Sequence, residues 1–212
     1  YAWLRLPESQ KDAVEFIVPT GNFGNILAGW LTQKMGLPVT SFKVATNRNN
    51  ILYRFFGTGQ YEISSVFKSL APSMDIQNAS NFERFLYYNL GSDSARVQAA
   101  MQGIQRFGTY LLEDFDAESF TASQMQDDEI PGRIQSVYEK YQYLIDPHTA
   151  CAFKDIDPNL CSILLATAHP AKVPDTIVKA TGIHPTHPNL EALDSQPSQK
   201  HTLPETSVEC IK

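Results

Sequence analysis

The 212-residue chain is poor in cysteine, lacks clustered positive charge and has no long apolar run. Each shortage excludes something. Cys151, Cys161 and Cys210 are odd in number and far apart, which excludes a disulfide framework and the usual zinc spacings; they read as reduced thiols of a cytoplasmic protein. No stretch approaches the roughly 18 apolar residues of a membrane-spanning helix. The net charge is −6 and no Lys/Arg cluster occurs, so no nucleic-acid surface is expected. The acidic run from Gln124 to Glu129 has no glycine at calcium-loop spacing, so no metal site is expected there. There is no internal repeat.

Apolar residues make up 42% of the chain and charged residues 19%, which suits a packed core in one α/β domain or two small ones. The organising stretch runs from Val14 to Leu31. Val14, Phe16, Ile17 and Val18 form a nearly continuous apolar run, the pattern of a parallel strand covered on both faces. Pro19 ends it. Gly21 and Gly24 permit a left-handed backbone and close approach, and Ile26, Leu27, Trp30 and Leu31 then recur at helical spacing. A Gly/Asn turn between strand and helix aims free backbone N–H groups and the positive end of a helix dipole at one spot. That spot suits a phosphate, to which Thr20, Asn22 and Asn25 can add side-chain donors. The turn is neither a Walker loop nor the dinucleotide fingerprint. An ordinary βα turn with two glycines for geometry is the other reading.

Ser41 to Thr46 is a second strand, and strand–helix–strand at this spacing predicts parallel pairing with a right-handed crossover. Its carboxyl end carries Thr46-Asn47-Arg48-Asn49-Asn50. Ligands of open α/β sheets bind outside such strand ends; a solvated loop with Asn49 or Asn50 as helix cap is the alternative. A helix starts at Ile51 and stops at Gly57-Thr58-Gly59. Ser80 with Glu83 has the form of a capping box, and Arg84 is either a surface charge or an anion ligand. Residues 92–143 read as helical. Asp146-Pro147-His148-Thr149 reads as a helix-capping turn, with His148 a hydrogen-bonded structural residue. Cys161 to Ala166 reads as another buried parallel strand ending in the polar run Thr167 to Lys172, and Asp175 to Ala180 as a short helix. Residues 184–201 form a surface tail, and Pro204 to Ile211 reads as the first turns of a helix. Tyr1 opens the chain without a methionine, so both ends read as cut and a longer parent protein is expected. The residues thus describe a parallel α/β domain with a phosphate cradle, fit for a phosphorylated cofactor, a sugar phosphate or a nucleotide.

Five ordered stretches resemble the threonine synthase family, pyridoxal-phosphate (PLP) enzymes of the tryptophan-synthase-β fold type (fold type II). They are Pro19-Thr20-Gly21-Asn22-Phe23-Gly24-Asn25-Ile26-Leu27-Ala28-Gly29, Ala45 to Ile51, Ser73 to Ile76 with Ser80 to Arg84, Asp146 to Ala150, and Ala166-Thr167-Ala168-His169-Pro170-Ala171-Lys172. The similarity is to the longer microbial and fungal form. It implies a parallel sheet with helices on both faces, incomplete at the N-terminus. Residues 1–183 would belong to the PLP-binding domain, with a mostly helical insertion at about 60–143 and a tail at 184–212. It implies PLP as cofactor, its phosphate held by Gly21, Asn22, Phe23, Gly24 and Asn25 and its ring nitrogen met by Thr167. A hydroxyl cannot hold the pyridine protonated as a carboxylate would, and the milder electron sink suits β- and γ-replacement. The implied reaction turns O-phospho-L-homoserine and water into L-threonine and phosphate, with Arg84 and Asn25 as contacts for the substrate phosphate. The family's Schiff-base lysine lies upstream of the Gly/Asn turn, in a Phe-Lys-Asp context; the Phe153-Lys154-Asp155 of this chain lies far downstream of that turn and is not its counterpart, and the family's Ser-Gly-Asp/Asn-Thr-Gly turn is absent from this chain. Lys172 is not a replacement, since its stretch supplies the ring-nitrogen partner. The chain therefore carries no catalytic residue of its own on this reading and needs a missing N-terminal segment. Two alternatives stand beside it: a non-catalytic module that keeps the fold, and another fold-type-II enzyme such as a dehydratase.

Overall fold

The computed structural model describes residues 1–113 and 118–200. After short 3-10 turns near the N-terminus come β1 (Val14–Pro19), α1 (Gly24–Lys34), β2 (Ser41–Thr46) and α2 (Ile51–Thr58). Then follow β3 (Gln60–Glu62), a 3-10 turn at Pro72–Met74, α3 (Phe82–Asn89), α4 (Ser94–Phe107), β4 (Thr109–Leu111) and β5 (Phe120–Gln124). The remainder holds α5 (Glu129–Tyr141), α6 (Pro147–Cys151), β6 (Cys161–Leu164), α7 (Pro174–Thr181) and α8 (Pro188–Asp194). The sheet order is β5-β2-β1-β6, all parallel, with β3 and β4 as a separate antiparallel pair.

Side chains alternate across the sheet and divide the core in two. Val18, Phe42, Val44 and Phe120 face α1 to α4, where Phe23, Trp30, Phe55, Phe82 and Phe85 complete an aromatic layer. Phe85 meets Phe23 and Trp30 edge-on, with centroids 5.4 Å apart in each case; such pairs add about 0.5–1.5 kcal/mol beyond area burial. Helix α1 sits close on β2 because Gly29 has no side chain: a Cβ there would fall 2.6 Å from Phe42 Cε1. On the opposite face Ile17 and Ala45 pack with Met125, Ile130, Ile134 and Ile177. That face also buries an ion pair. Lys43 Nζ lies 3.3 Å from Glu15 Oε2, and the Ser41 and Thr121 hydroxyls donate to Glu15 Oε1.

Several sequence expectations are corrected. The helical reading of 92–143 misses β4 and β5, and β5 is an edge strand of the main sheet. Its Phe-Thr-Ala-Ser-Gln sequence carries a single large apolar residue, and β2 supplies the pairing that periodicity does not announce. The strand at Cys161 ends at Leu164 and is half-buried, because it is the other edge. Helix α2 runs through Gly57 and stops at Gly59, whose φ of 75° is the left-handed cap. Ser80 and Glu83 form no capping box: α3 starts after Asn81, with no side-chain cap. The tail contains α8. The helix expected from Pro204, and Cys210, lie outside the described residues. Among the described residues no helix is long and apolar enough to cross a membrane.

Candidate functional site

Strand β1 and helix α1 meet in a tight turn whose geometry comes from Thr20 and Phe23. Thr20 continues the sheet by donating its N–H to Ala45 O at 3.0 Å, and its hydroxyl oxygen accepts the Phe23 N–H at 3.1 Å. Phe23, with φ 64°, is the left-handed residue; Gly21 and Gly24 are not. A non-glycine residue there costs about 1–2 kcal/mol, and the burial of the Phe23 ring against Phe56, Phe85 and Phe120 offsets it. The two glycines serve close approach instead. A Cβ on Gly21 would lie 3.1 Å from Met74 Cα, and one on Gly24 would lie 3.3 Å from Asn81 Nδ2.

The first amide of α1 to bond within the chain is Leu27, to Phe23 O. The N–H groups of Gly21, Asn22, Gly24, Asn25 and Ile26 find no acceptor among the described residues. They gather at the positive end of an 11-residue helix, which is the arrangement that binds a dianion. Gly21, Asn22, Gly24 and Asn25 line a cavity of about 340 Å³, which Ser73, Met74, His148, Thr167 and Lys172 line as well. Thr167 follows β6, which lies parallel to β1, so both strand ends open at the same sheet edge. Thr167 is an exposed residue of this cavity's lining, and its hydroxyl has no hydrogen-bond partner among the described residues.

The structure therefore brings Gly21, Asn22, Gly24, Asn25 and Thr167 around one space. Phe23 stands apart: its ring is in the core and its amide is taken by Thr20. Arg84 also stands apart. It lines a neighbouring cleft of about 720 Å³ between α1, α3 and α4, which shares Gly24 with the first. Asn81 joins the two. Its backbone N–H and its Nδ2 both donate to Asn22 O, at 3.1 and 3.0 Å, and its Oδ1 accepts from Arg84 Nη1 at 3.1 Å.

The polar loop after β2 is not a second open site. Asn47 Nδ2 and Asn49 Nδ2 each donate to Asp75 Oδ1 at 2.8 Å, Ser69 N–H donates to Asp75 Oδ2, and Asn49 Oδ1 accepts from Phe67 N–H. Asn47 and Asn49 are buried, neither solvated nor capping. Asn50 precedes α2 without a side-chain cap and donates to Gln124 Oε1 instead.

Asp146 caps α6, accepting the N–H of His148 at 2.9 Å and of Thr149 at 3.0 Å. Its carboxylate also meets His148 Nδ1 and the Thr149 hydroxyl. Burial works to raise its pKa, but the hydrogen bonds from His148 and Thr149 outweigh it and hold the carboxyl below the usual range. His148 Nε2 accepts from Ser73 N–H at 3.0 Å, so the ring proton sits on Nδ1. Sequence reading found His148 as a structural residue but not its place, with Ser73, in the cavity wall. No local pattern announces a contact across 75 residues. Burial, with the Asp146 charge adding to it, pushes the nearby Cys151 thiol up to about 12. Among the described residues, no three His, Cys, Asp or Glu come together as a metal site would require.

The family model described as the C-terminal part of threonine synthase matches residues 148–212. Threonine synthase from Corynebacterium glutamicum is 38% identical over 96% of this chain and 46% of its own length. A PLP-bound threonine synthase structure from Brucella melitensis superposes with a TM-score of 0.79 at 40% identity, covering 88% of this chain and 41% of that one. The yeast threonine synthase structure gives 0.80 at 33% identity, over 93% and 46%. The chain spans about half the length of the curated relatives it matches, or less. The parallel sheet with helices on both faces is the fold of those structures. Sequence and fold agree over nearly all of its residues: the chain matches the C-terminal region of threonine synthase, a larger PLP enzyme of fold type II.

Proposed function

We propose that this chain supplies the phosphate-holding part of the PLP site of a threonine synthase, which converts O-phospho-L-homoserine and water into L-threonine and phosphate. The observation that carries the reading is that Gly21, Asn22, Gly24 and Asn25, whose amides have no acceptor among the described residues, line one cavity together with Thr167. These residues fit the cofactor. The amides and the helix dipole suit a phosphate dianion, and a neutral hydroxyl suits a pyridine nitrogen. Phe23 contributes by holding the turn rather than by contact. PLP, when bound, supplies the electron sink for proton removal along the substrate chain.

This chain's own residues hold and orient. With PLP bound, the amides would hold its phosphate, and the neutral hydroxyl of Thr167 would meet its ring nitrogen without holding it protonated. Asn25 and Arg84 receive the substrate phosphate, Asn25 from the cradle side and Arg84 from the adjoining cleft, where its guanidinium can bind bidentately. The amine to join the cofactor would come from the part of the parent protein beyond this chain: Lys154, in the run Phe153-Lys154-Asp155, pairs with Glu129 and does not line the cavity. Lys172 lines the cavity but follows the threonine that occupies the ring-nitrogen side.

The test is borohydride reduction of the PLP-loaded full-length protein, followed by peptide mapping and an assay of phosphate release from O-phospho-L-homoserine. A single modified lysine outside residues 1–212, with threonine formed, is the expected result. Modification at Lys172 would overturn the division of roles. PLP binding with no product from O-phospho-L-homoserine, but with deamination of serine or threonine, would favour the dehydratase alternative.

A further inference from the structure

One wall of the cradle cavity is held by a side-chain relay that begins at a carboxylate with no solvent exposure. Asp146 accepts from two backbone N–H groups at the start of α6 and from His148 Nδ1. His148, itself buried, accepts on Nε2 from the backbone N–H of Ser73 at 3.0 Å. Ser73 lies in the Pro72–Met74 turn, and that turn is what crowds Gly21: a Cβ on Gly21 would be 3.1 Å from Met74 Cα. Ser73, Met74 and His148 line the same cavity as Gly21 and Asn22, with Met74 directly beside Gly21.

We infer that His148, oriented by Asp146, is a positioning residue for the phosphate cradle: it pins the Pro72–Met74 turn through Ser73 N–H and so sets the width of the space that Gly21 and Asn22 face. The inference rests on the reading of those amides as the PLP phosphate site. The physical reasons are two. The orienting bond to Asp146 fixes the ring tautomer, leaving Nε2 as the acceptor. A buried N–H that loses its acceptor moves to find another, and the turn carrying it moves too. Loops alone seldom hold a ligand wall to the tolerance binding needs, whereas a wall locked by neighbouring hydrogen bonds does.

The test compares PLP with pyridoxal, which lacks the phosphate, on the full-length protein. Wild type should bind PLP far more tightly. His148→Leu removes the acceptor and should weaken PLP about tenfold while changing pyridoxal less than about twofold. It should also move the 31P resonance of bound PLP. His148→Gln keeps an acceptor and should stay within about threefold of wild type. Ser73→Pro removes the same bond from the other partner without touching the α6 core, and should reproduce the PLP-selective loss even where His148→Leu does not fold. Equal loss for both ligands, or no loss in Ser73→Pro, would overturn the inference while leaving the cradle intact. A wild type that binds PLP no better than pyridoxal would overturn the cradle reading and this inference with it.

Discussion

Two polar loops leave the sheet at the same edge, one after β1 and one after β2. Both carry asparagine, and both follow buried strands. Their fates are opposite. After β1, the amides of Gly21, Asn22, Gly24 and Asn25 have no acceptor among the described residues, and these residues line a cavity. After β2, Asn47 and Asn49 spend their side chains on Asp75, Ser69 and Phe67 and are buried. A polar loop at a strand end is thus a binding site only where its donors remain unspent; where they are spent, it is a clasp. Here the clasp holds the segment from Phe67 to Asp75, and that segment carries one wall of the cradle.

The comparison breaks most forcefully at the clasp. Asp75→Ala removes one of the acceptors of two buried asparagine amides, which keep Ser69, Ala71 and Phe67, and the acceptor of the Ser69 N–H, and should cost about 3 kcal/mol, read as a lowered urea midpoint. An unchanged midpoint would mean that the network is not what closes the loop. At the cradle the same kind of measurement should show less and binding should show more. Gly24→Val pushes a branched side chain toward Asn81 and should weaken PLP by more than about tenfold in the full-length protein; Thr167→Val should weaken it by less. Unchanged PLP content and activity in both would remove the cradle assignment.

Arg84→Ala sharpens the comparison at the neighbouring cleft. Arg84 is exposed, so stability should hold within about 0.5 kcal/mol, while KM for O-phospho-L-homoserine should rise severalfold. A fall in kcat with KM unchanged would contradict a substrate-phosphate role. A smaller effect is a pH dependence. Because the Asp146 carboxyl titrates lower in the folded chain than in the unfolded one, its stabilisation is present above pH ~4 and is lost as pH falls through the folded value. Wild type should therefore lose more stability than Asp146→Asn between pH 5 and about pH 3, a difference readable from urea midpoints. Equal losses would assign the acid sensitivity elsewhere. The smallest effect is chemical: with its thiol pushed up to about 12, native Cys151 should resist iodoacetamide at neutral pH and react on unfolding.

Much of this was legible beforehand because it depends on neighbours in sequence. The run Val14 to Val18, the glycine-punctuated turn and the apolar spacing of α1 fix a strand–turn–helix wherever they occur, and the crossover rule then makes β1 and β2 parallel. The order of the five motifs pointed to the family. Strand β5 was not legible, because a single large apolar residue in five gives no period; its partner β2 makes it a strand. The sequence also pointed to glycine for the left-handed position. Only the aromatic layer explains why Phe23 takes it, since the ring is anchored by Phe56, Phe85 and Phe120.

The sequence by itself determined that a strand, a glycine-bearing turn and a helix follow one another, and that a threonine comes shortly after the last strand of the parallel sheet. Tertiary structure alone decided which polar groups stay available. Asn47 and Asn49 are spent on residues about 20 to 30 positions away, and His148 reaches Ser73 across 75. Whether a donor is free depends on what packs beside it, and packing is set by contacts distant in sequence, not by the residue types that local pattern reveals.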